Sequence, residues 1–241
     1  CPLIYFSRPN SSLLRLGKTR WYGRALGQSC INGSSELMTN LSTSVVNALY
    51  NLQLMRLAGQ DGVAAYGAVM YVSFAFVSIF IGYSIGVAPV VGYHYGAENS
   101  AELKNLFKKS NLLIALCSIV LGILAFTMAS PLARVFVDAD EIVKNPKLLE
   151  MTISAFRFYA ISVLFSGFSI FGSSFFTALN NGVISAAISF LRTLVFQIAS
   201  VLILPIFFGV DGVWYSLSIA EFLAMVVTFF FFAFKRKTYR Y

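Results

Sequence analysis

Apolar runs of membrane-crossing length dominate this chain. They cover about 30–56, 63–91, 111–133, 149–177, 184–207 and 213–234, each near or above the roughly 20 residues that a helix needs to span a bilayer. With 58% hydrophobic residues, 12% charged residues and a mean hydropathy of +0.75, the chain is more apolar and less charged than a soluble domain. The runs are continuous rather than alternating, which argues against an outer-membrane barrel. Lipid offers backbone groups no hydrogen-bond partner, so each run must satisfy its own as a helix. The expected fold class is therefore all-α: a polytopic membrane protein with a bundle of six transmembrane helices. The bundle occupies 29–234, with a basic cytoplasmic loop or extension at 1–28 and a basic cytoplasmic tail at 235–241.

The first run is polar on one side. At about 100° per residue, Asn32, Glu36, Asn40, Thr43, Asn47, Tyr50 and Asn51 share one arc, and Leu41, Val45, Ala48, Leu49 and Leu52 take the opposite side. From Glu36 to Asn51 the arc rises roughly 22 Å, most of the hydrocarbon thickness. A carboxylate in mid-membrane costs about 2.5–3.5 kcal/mol on insertion scales. Such a face must look at protein or at water. Two readings follow: a seam hydrogen-bonded to neighbouring helices, or a helix lining a pathway with Asn32, Asn40, Thr43, Asn47, Tyr50 and Asn51 as cavity-lining candidates.

Charge sets the expected orientation. The net charge is +8, from 18 Lys+Arg against 10 Asp+Glu. If six helices alternate sides, the N-terminal stretch, the 92–110 loop and the tail fall together and hold most of the basic residues, among them Arg8, Arg15, Lys104, Lys108, Lys235 and Arg236. The opposite side carries the acidic loop with Asp138, Asp140 and Glu141. By the positive-inside rule, both ends are cytoplasmic in the cell (inner or plasma) membrane. Anionic lipid explains the basic balance, so no nucleic-acid partner is implied.

Few residues could carry chemistry. Cys1, Cys30 and Cys117 are scattered and His94 is the only histidine, which offers neither a disulfide framework nor a zinc site. No P-loop, dinucleotide fingerprint or nucleophile elbow is present, so the chain does not read as an enzyme. His94, in Gly92-Tyr-His-Tyr-Gly96, reads as an aromatic-belt residue. Arg157 lies near the outer end of its helix and Arg192 near the cytoplasmic end of its own, where both read as structural and Arg192 can snorkel. Glu221 lies eight residues past Val213, roughly 12 Å into the bilayer. A carboxylate at that depth is either paired to fix packing or a proton or cation ligand. Glu36 and Glu221 are thus the cation-binding or coupling candidates, with no cofactor beyond a coupling ion, Na⁺ or H⁺, and no metal centre.

Composition also marks the turns. Ala58-Gly-Gln-Asp-Gly62, Asn180-Asn-Gly182 and Gly209-Val-Asp-Gly212 read as turns. Pro89 is expected to kink or stop its helix. Asn99-Ser-Ala-Glu102 reads as a capping box opening a short basic interfacial helix. The third run is expected to end at Ser130-Pro131. Ser166-Gly-Phe-Ser169 and Gly172-Ser-Ser174 give the fourth run small residues for close helix approach.

Three segments together resemble the second half of a multidrug and toxic compound extrusion (MATE) transporter. They are Pro89-Val-Val-Gly-Tyr-His-Tyr-Gly-Ala97, Phe175-Phe-Thr-Ala-Leu-Asn-Asn-Gly182 and Gly209-Val-Asp-Gly-Val-Trp-Tyr-Ser-Leu-Ser-Ile-Ala-Glu221. The resemblance covers about 29–234. It implies two six-helix lobes around a central cavity, exchanging Na⁺ or H⁺ for organic cations. This chain would be the C-terminal lobe, and its partners would be membrane lipid, small organic cations, and a missing N-terminal lobe or a second copy. A start without Met fits a piece of something longer. The sequence departs from better-known branches: the acid on the corresponding first helix lies nearer Ser42 there, and the fourth run here has no Asp or Glu. The alternative is a lipid-linked oligosaccharide flippase of the same superfamily, which would favour a strongly cationic cavity. An intramembrane enzyme would need clustered acids or histidines, and a membrane scaffold would leave the polar stripe without a purpose.

The orientation is testable. Single cysteines placed in 58–62 and 138–147 should react with an impermeant reagent from outside, and those near 100 and 238 should not. Labelling near 100 from outside would invert the topology.

Overall fold

The computed structural model describes residues 21–137, 145–239 and 241, apart from the side chains of Asn32, Ser35, Glu36, Met38 and Lys237. Among the described residues the structure is helical, with no strand. Gly23–Gly96 is helical throughout except at Gly59, whose φ of 67° and ψ of −151° break the run. Its two arms, 23–58 and 60–96, are called α1 and α2. There follow α3 (Ser100–Thr127), the short α4 (Ala129–Phe136), α5 (Pro146–Ala178), α6 (Gly182–Phe208) and α7 (Val210–Tyr239). Five helical stretches are long and apolar enough to cross a membrane, and the first of them, Thr39–Gly96, spans 58 residues. Divided at Gly59, it yields two crossings, so the bundle has the six expected.

The break at Gly59 is a reversal. Tyr50 stacks on Tyr66 with ring centroids 5.2 Å apart and an interplanar angle of 2°, and the Tyr66 hydroxyl donates to Asn47 Oδ1 at 2.9 Å. On an unbroken helix these rings would be about 24 Å apart. Gly59 supplies the positive φ that only glycine adopts cheaply. Gly62 then lies so close to Ala58 and Leu54 that a Cβ would collide with them. The α6–α7 turn repeats the device: Gly209 has φ 57° and ψ −133°, and Gly212 sits against the backbone of Leu204 and Pro205. The two Gly-x-Asp-Gly turns are therefore one solution used twice.

The turns at the other end share a second solution. Glu98 and Asn180 take positive φ, 55° and 59°. The asparagine after each caps the next helix, Asn99 accepting from the Glu102 amide at 3.1 Å and Asn181 from the Ile184 amide at 3.2 Å, a favourable N-cap choice. The expected capping box is half formed, because the Glu102 carboxylate accepts from Asn105 instead of reaching back. Nor is there a separate interfacial helix: Ser100–Thr127 runs unbroken from its cap into the third crossing. Pro89 lies inside α2, which continues to Gly96. The third run breaks earlier than expected, at Met128, and Pro131 falls in the first turn of α4, where a missing N–H costs nothing. The acidic residues Asp138, Asp140 and Glu141 lie outside the described residues.

α5 is the pillar. It packs against the α1–α2 hairpin, α3, α4, α6 and α7, and 56% of its most apolar window is buried, against no more than 33% in any other span. The expected small residues make this possible. A Cβ on Gly167 would lie 2.7–2.8 Å from the Phe80 ring, and one on Gly172 would run into Thr228 of α7. Across the contact, Gly122 of α3 receives the Leu164 side chain. Towards the chain end, Phe107, Phe175 and Phe232 surround the buried Tyr241, whose hydroxyl donates to the Phe232 carbonyl at 3.0 Å. Burial, with Tyr239 adding to it, pushes the Tyr241 phenol above its ordinary range, so it remains a neutral donor. The outer faces are apolar and exposed, as at Leu112, Leu116, Val120 and Ile123 of α3 and Val226 and Phe230 of α7, the surface a bilayer would solvate.

Overpacking at the pillar should be costly. Gly172→Val in the protein expressed from its complete coding sequence should lower stability by about 1–3 kcal/mol. That loss would appear as a reduced melting temperature in detergent, whereas Gly82→Val, with open space around its Cα, should change it little.

Candidate functional site

In three dimensions α1 has three faces. Ser42, Val46, Tyr50 and Leu54, spaced by four, are buried against the rest of the bundle. Leu41, Val45 and Leu52 are exposed on the apolar side. Between these faces, Asn40, Thr43, Ser44 and Asn51 are exposed polar residues. Thr43 Oγ1 donates to the Thr39 carbonyl at 2.7 Å and Asn51 Nδ2 to the Asn47 carbonyl at 2.9 Å, local bonds that lessen but do not remove the cost of lipid. The polar arc thus divides. Its Asn47–Tyr50 edge is a packing seam, and its Asn40–Thr43–Asn51 edge is exposed. Asn32 and Glu36, also expected on the arc, lie outside the described side chains.

Behind that seam is a connected polar centre. The Tyr50 hydroxyl donates to Gln197 Oε1 of α6 at 2.8 Å and shares a 2.7 Å bond with Ser216 Oγ of α7. Ser216 Oγ, with a single proton, donates either back to Tyr50 or to the Val213 carbonyl. Deeper along α6 and α7, Arg192 Nε donates to both carboxylate oxygens of Glu221, at 2.9 and 3.1 Å. Glu221 is 8% exposed. Tyr50 of α1 and Tyr159 of α5 are both near enough to feel its charge, and Tyr159 that of Arg192 as well. Tyr159 itself donates to the Ser73 carbonyl of α2 at 3.3 Å. α6 and α7 thus supply the buried pair, and α1 and α5 each bring a tyrosine near it.

The backbone of α6 is what aims Arg192 and Gln197. Leu191–Phe196 is a π-helical turn between α-helical Gly182–Phe190 and Gln197–Phe208. Such turns are rare and gather at functional sites. On a regular α-helix, residues 192 and 197 point about 140° apart, and the wider turn brings their side chains nearer one face. Neither glycine nor proline occurs within Leu191–Phe196, so composition gives no warning of it.

This corrects the reading of Arg192, which does not snorkel: its guanidinium is committed to Glu221. The signal was present, because ten residues past Gly182 also places Arg192 roughly 15 Å deep, level with Glu221. Arg157 keeps the structural role expected of it, exposed with its guanidinium 5.7 Å from the centroid of the Phe126 ring. His94 packs edge-on against Tyr93 at 5.3 Å. No group of three or more metal-ligating side chains occurs among the described residues. A cavity of about 300 Å³ lies at the Gly-x-Asp-Gly end, bounded by Asp61, Lys147, Glu150, Asp211 and Trp214. There Asn145 Nδ2 donates to Asp61 at 2.7 Å.

Comparison with known proteins gives a consistent picture. The family model described as MatE matches residues 37–203. No curated protein sequence matches. Among solved structures, a MATE crystal structure in complex with MaL6 superposes with a TM-score of 0.85 at 19% identity, covering 95% of this chain and 51% of the other. The outward-facing conformation of a multidrug resistance MATE family transporter of the MOP superfamily gives 0.83 at 18%, covering 95% and 51%. A MOP superfamily transporter from Pyrococcus furiosus, described as having a binding pocket of reversed polarity that suggests a different function, gives 0.81 at 19%, covering 92% and 49%. At these identities the likeness is one of fold. The chain spans about half the length of the solved structures it matches.

The buried pair should behave as a unit. Arg192→Leu and Glu221→Leu should each destabilise the protein by about 3–5 kcal/mol, because each strands a charge. The double substitution should cost less than either. Additive losses in a double-mutant cycle of melting temperatures would show that the pair carries no mutual stabilisation.

Proposed function

The chain belongs to the MatE family, and from that premise we propose that it is one lobe, the C-terminal one, of a cation-coupled antiporter exporting organic cations. The reading places the lobe in the cell membrane with both ends cytoplasmic. The observation that carries it is the uncovered edge of α1. Asn40, Thr43 and Asn51 are exposed along a helix whose apolar side is also exposed, and only water or protein makes that edge tolerable in a membrane. A second lobe facing this edge would enclose a pathway of neutral carbonyl and hydroxyl oxygens, suited to an organic cation that cannot donate strong hydrogen bonds. The half-length match supports such a second lobe, either the N-terminal half of a longer protein or another copy.

Coupling requires a group that holds a monovalent cation or proton, and Glu221 is the described carboxylate within the spans that meets the need. Glu36 stays a second coupling candidate from the sequence. Na⁺ or H⁺ at the carboxylate and the organic cation in the pathway would then favour different lobe arrangements, and rocking of the lobes would alternate access. The flippase alternative calls for uncompensated positive charge toward a phosphate. Arg192 supplies no such excess, since it is matched one for one by Glu221 at 2.9 Å.

In the transporter expressed from its complete coding sequence, Glu221→Gln should weaken ion-driven export about tenfold or more. Alanine at Asn40, Thr43 or Asn51 should instead change the ranking of exported cations by about 2–10-fold, the worth of one neutral hydrogen bond. Unchanged export in Glu221→Gln, Glu36→Gln and the double variant would remove the carboxylates from coupling, and an unaltered ranking across the alanine series would remove the edge from the pathway.

A further inference from the structure

Resting on the coupling role of Glu221, we infer that the π-helical turn of α6 converts occupancy of that carboxylate into movement of α1, with Arg192 as the displaced internal cation and Gln197 and Tyr50 as positioning residues. Three observations converge. Arg192 enters the turn at its second residue and holds Glu221 through both carboxylate oxygens. Gln197 follows the turn directly and accepts from Tyr50 of α1 at 2.8 Å. The turn itself, Leu191–Phe196, has no fully buried residue to clamp it, although it lies between well-packed elements.

The geometry makes the two contacts interdependent. A guanidinium and a monovalent cation compete for the one negative charge of a carboxylate, so a Na⁺ ion or proton arriving at Glu221 loosens its hold on Arg192, whose partly exposed side chain then turns its charge to water. Among the described residues the groups near Glu221 are Arg192 from α6, Tyr50 from α1 and Tyr159 from α5, and of these Arg192 brings the positive charge. Once released, the wider turn loses the contact that holds its start in register. Relaxation to α-helical bonding turns residue 197 relative to residue 192 towards the ordinary separation of about 140°, which draws Gln197 off the Tyr50 hydroxyl. Tyr50 then retains only Ser216, and the seam beneath the exposed edge of α1 loosens. The switch joins the ion site to the cation pathway through one segment of one helix, a two-arrangement element of the kind that coupling requires.

The test uses the transporter expressed from its complete coding sequence, in a cysteine-free background carrying Ser44→Cys on the exposed edge of α1. Maleimide labelling is followed in liposomes with Na⁺ raised from zero to 150 mM at pH 8 (about physiological ionic strength), and separately from about pH 8 to pH 6 without Na⁺ (the window of a proton switch). Rates are taken relative to a cysteine peptide at the same pH. The expected result is a change of at least about fivefold in one arm, abolished by Glu221→Gln. Arg192→Gln should fix labelling at the ion-bound rate without ion. Gln197→Leu, and the milder Tyr50→Phe, should lose the labelling response while ion-induced thermal stabilisation through Glu221 persists, which a merely structural loss would not give. A full response in both Gln197→Leu and Tyr50→Phe overturns the inference, as does Arg192→Gln labelling at the ion-free rate. Either outcome leaves Glu221 coupling intact. No labelling response in the Ser44→Cys background also overturns the inference, and export unaffected by Glu221→Gln sinks the coupling reading itself.

Discussion

Inside a bilayer a polar side chain has no water to fall back on, and that constraint orders this molecule from its core outward. A lone guanidinium or carboxylate in mid-membrane is costly by several kcal/mol. Arg192 and Glu221 meet the cost by taking each other, on consecutive antiparallel helices. The same demand draws Tyr50 to Gln197 and Ser216 and Tyr66 to Asn47. These bonds cross helices, while most serine and threonine hydroxyls in the spans return to a carbonyl of their own helix, as Thr152, Ser162 and Thr228 do. Local bonds satisfy a polar atom and fix nothing beyond it. The cross-helix bonds fix which helices stay together, and all of them in this group lie where α1, α2, α6 and α7 meet.

Close packing does the rest. α5 touches nearly every other element through glycine positions at which a side chain would collide, Gly167 with Phe80 and Gly172 with Thr228. Without a hydrophobic drive between helices in lipid, such fitted contacts are the main source of association. They are also unforgiving, because interdigitated surfaces do not slide by small amounts. α1 is held otherwise. Its seam is a column of Ser42, Val46, Tyr50 and Leu54, with the Tyr50–Gln197 bond at its centre. The helix bearing the polar edge is thus tied to the pillar region more by hydrogen bonds than by locked glycine contacts.

How much of this was legible depends on period and composition. Long apolar runs dictated the helices, and the small residues of 166–174 announced the pillar, because both are properties of composition within a window. The turn at Gly59 was readable for the same reason. The division of the α1 arc was not: Asn40 and Asn47 lie close together on a helical wheel, and only the positions of Tyr66 and Gln197 decide which is covered. Arg192 was misjudged because each charge was placed against the membrane alone. Set against each other, two opposite charges at equal depth on neighbouring helices have an obvious resolution. The π-helical turn had no sequence signal, since Leu191–Phe196 contains good helix formers and neither of the residues that usually disturb a helix.

The connections show where motion can reside. α1–α2 and α6–α7 are joined by Gly-x-Asp-Gly turns so tight that their second glycines touch the preceding helix. The α2–α3 and α5–α6 joints are sealed by an asparagine cap after a single residue of positive φ. In one of these joints Asn181 also donates to the Tyr239 hydroxyl at 2.7 Å, which pins the end of α7. Four of the connections therefore have no slack, so on the proposed reading a change in how these helices relate falls within the helices themselves. α6 is the helix with a non-α turn inside it and a proline, Pro205, further along, and it carries both Arg192 and Gln197. On the proposed coupling, rigid ends and one irregular middle would carry a charge event at Glu221 to α1, because a strain that loops could absorb would never reach it.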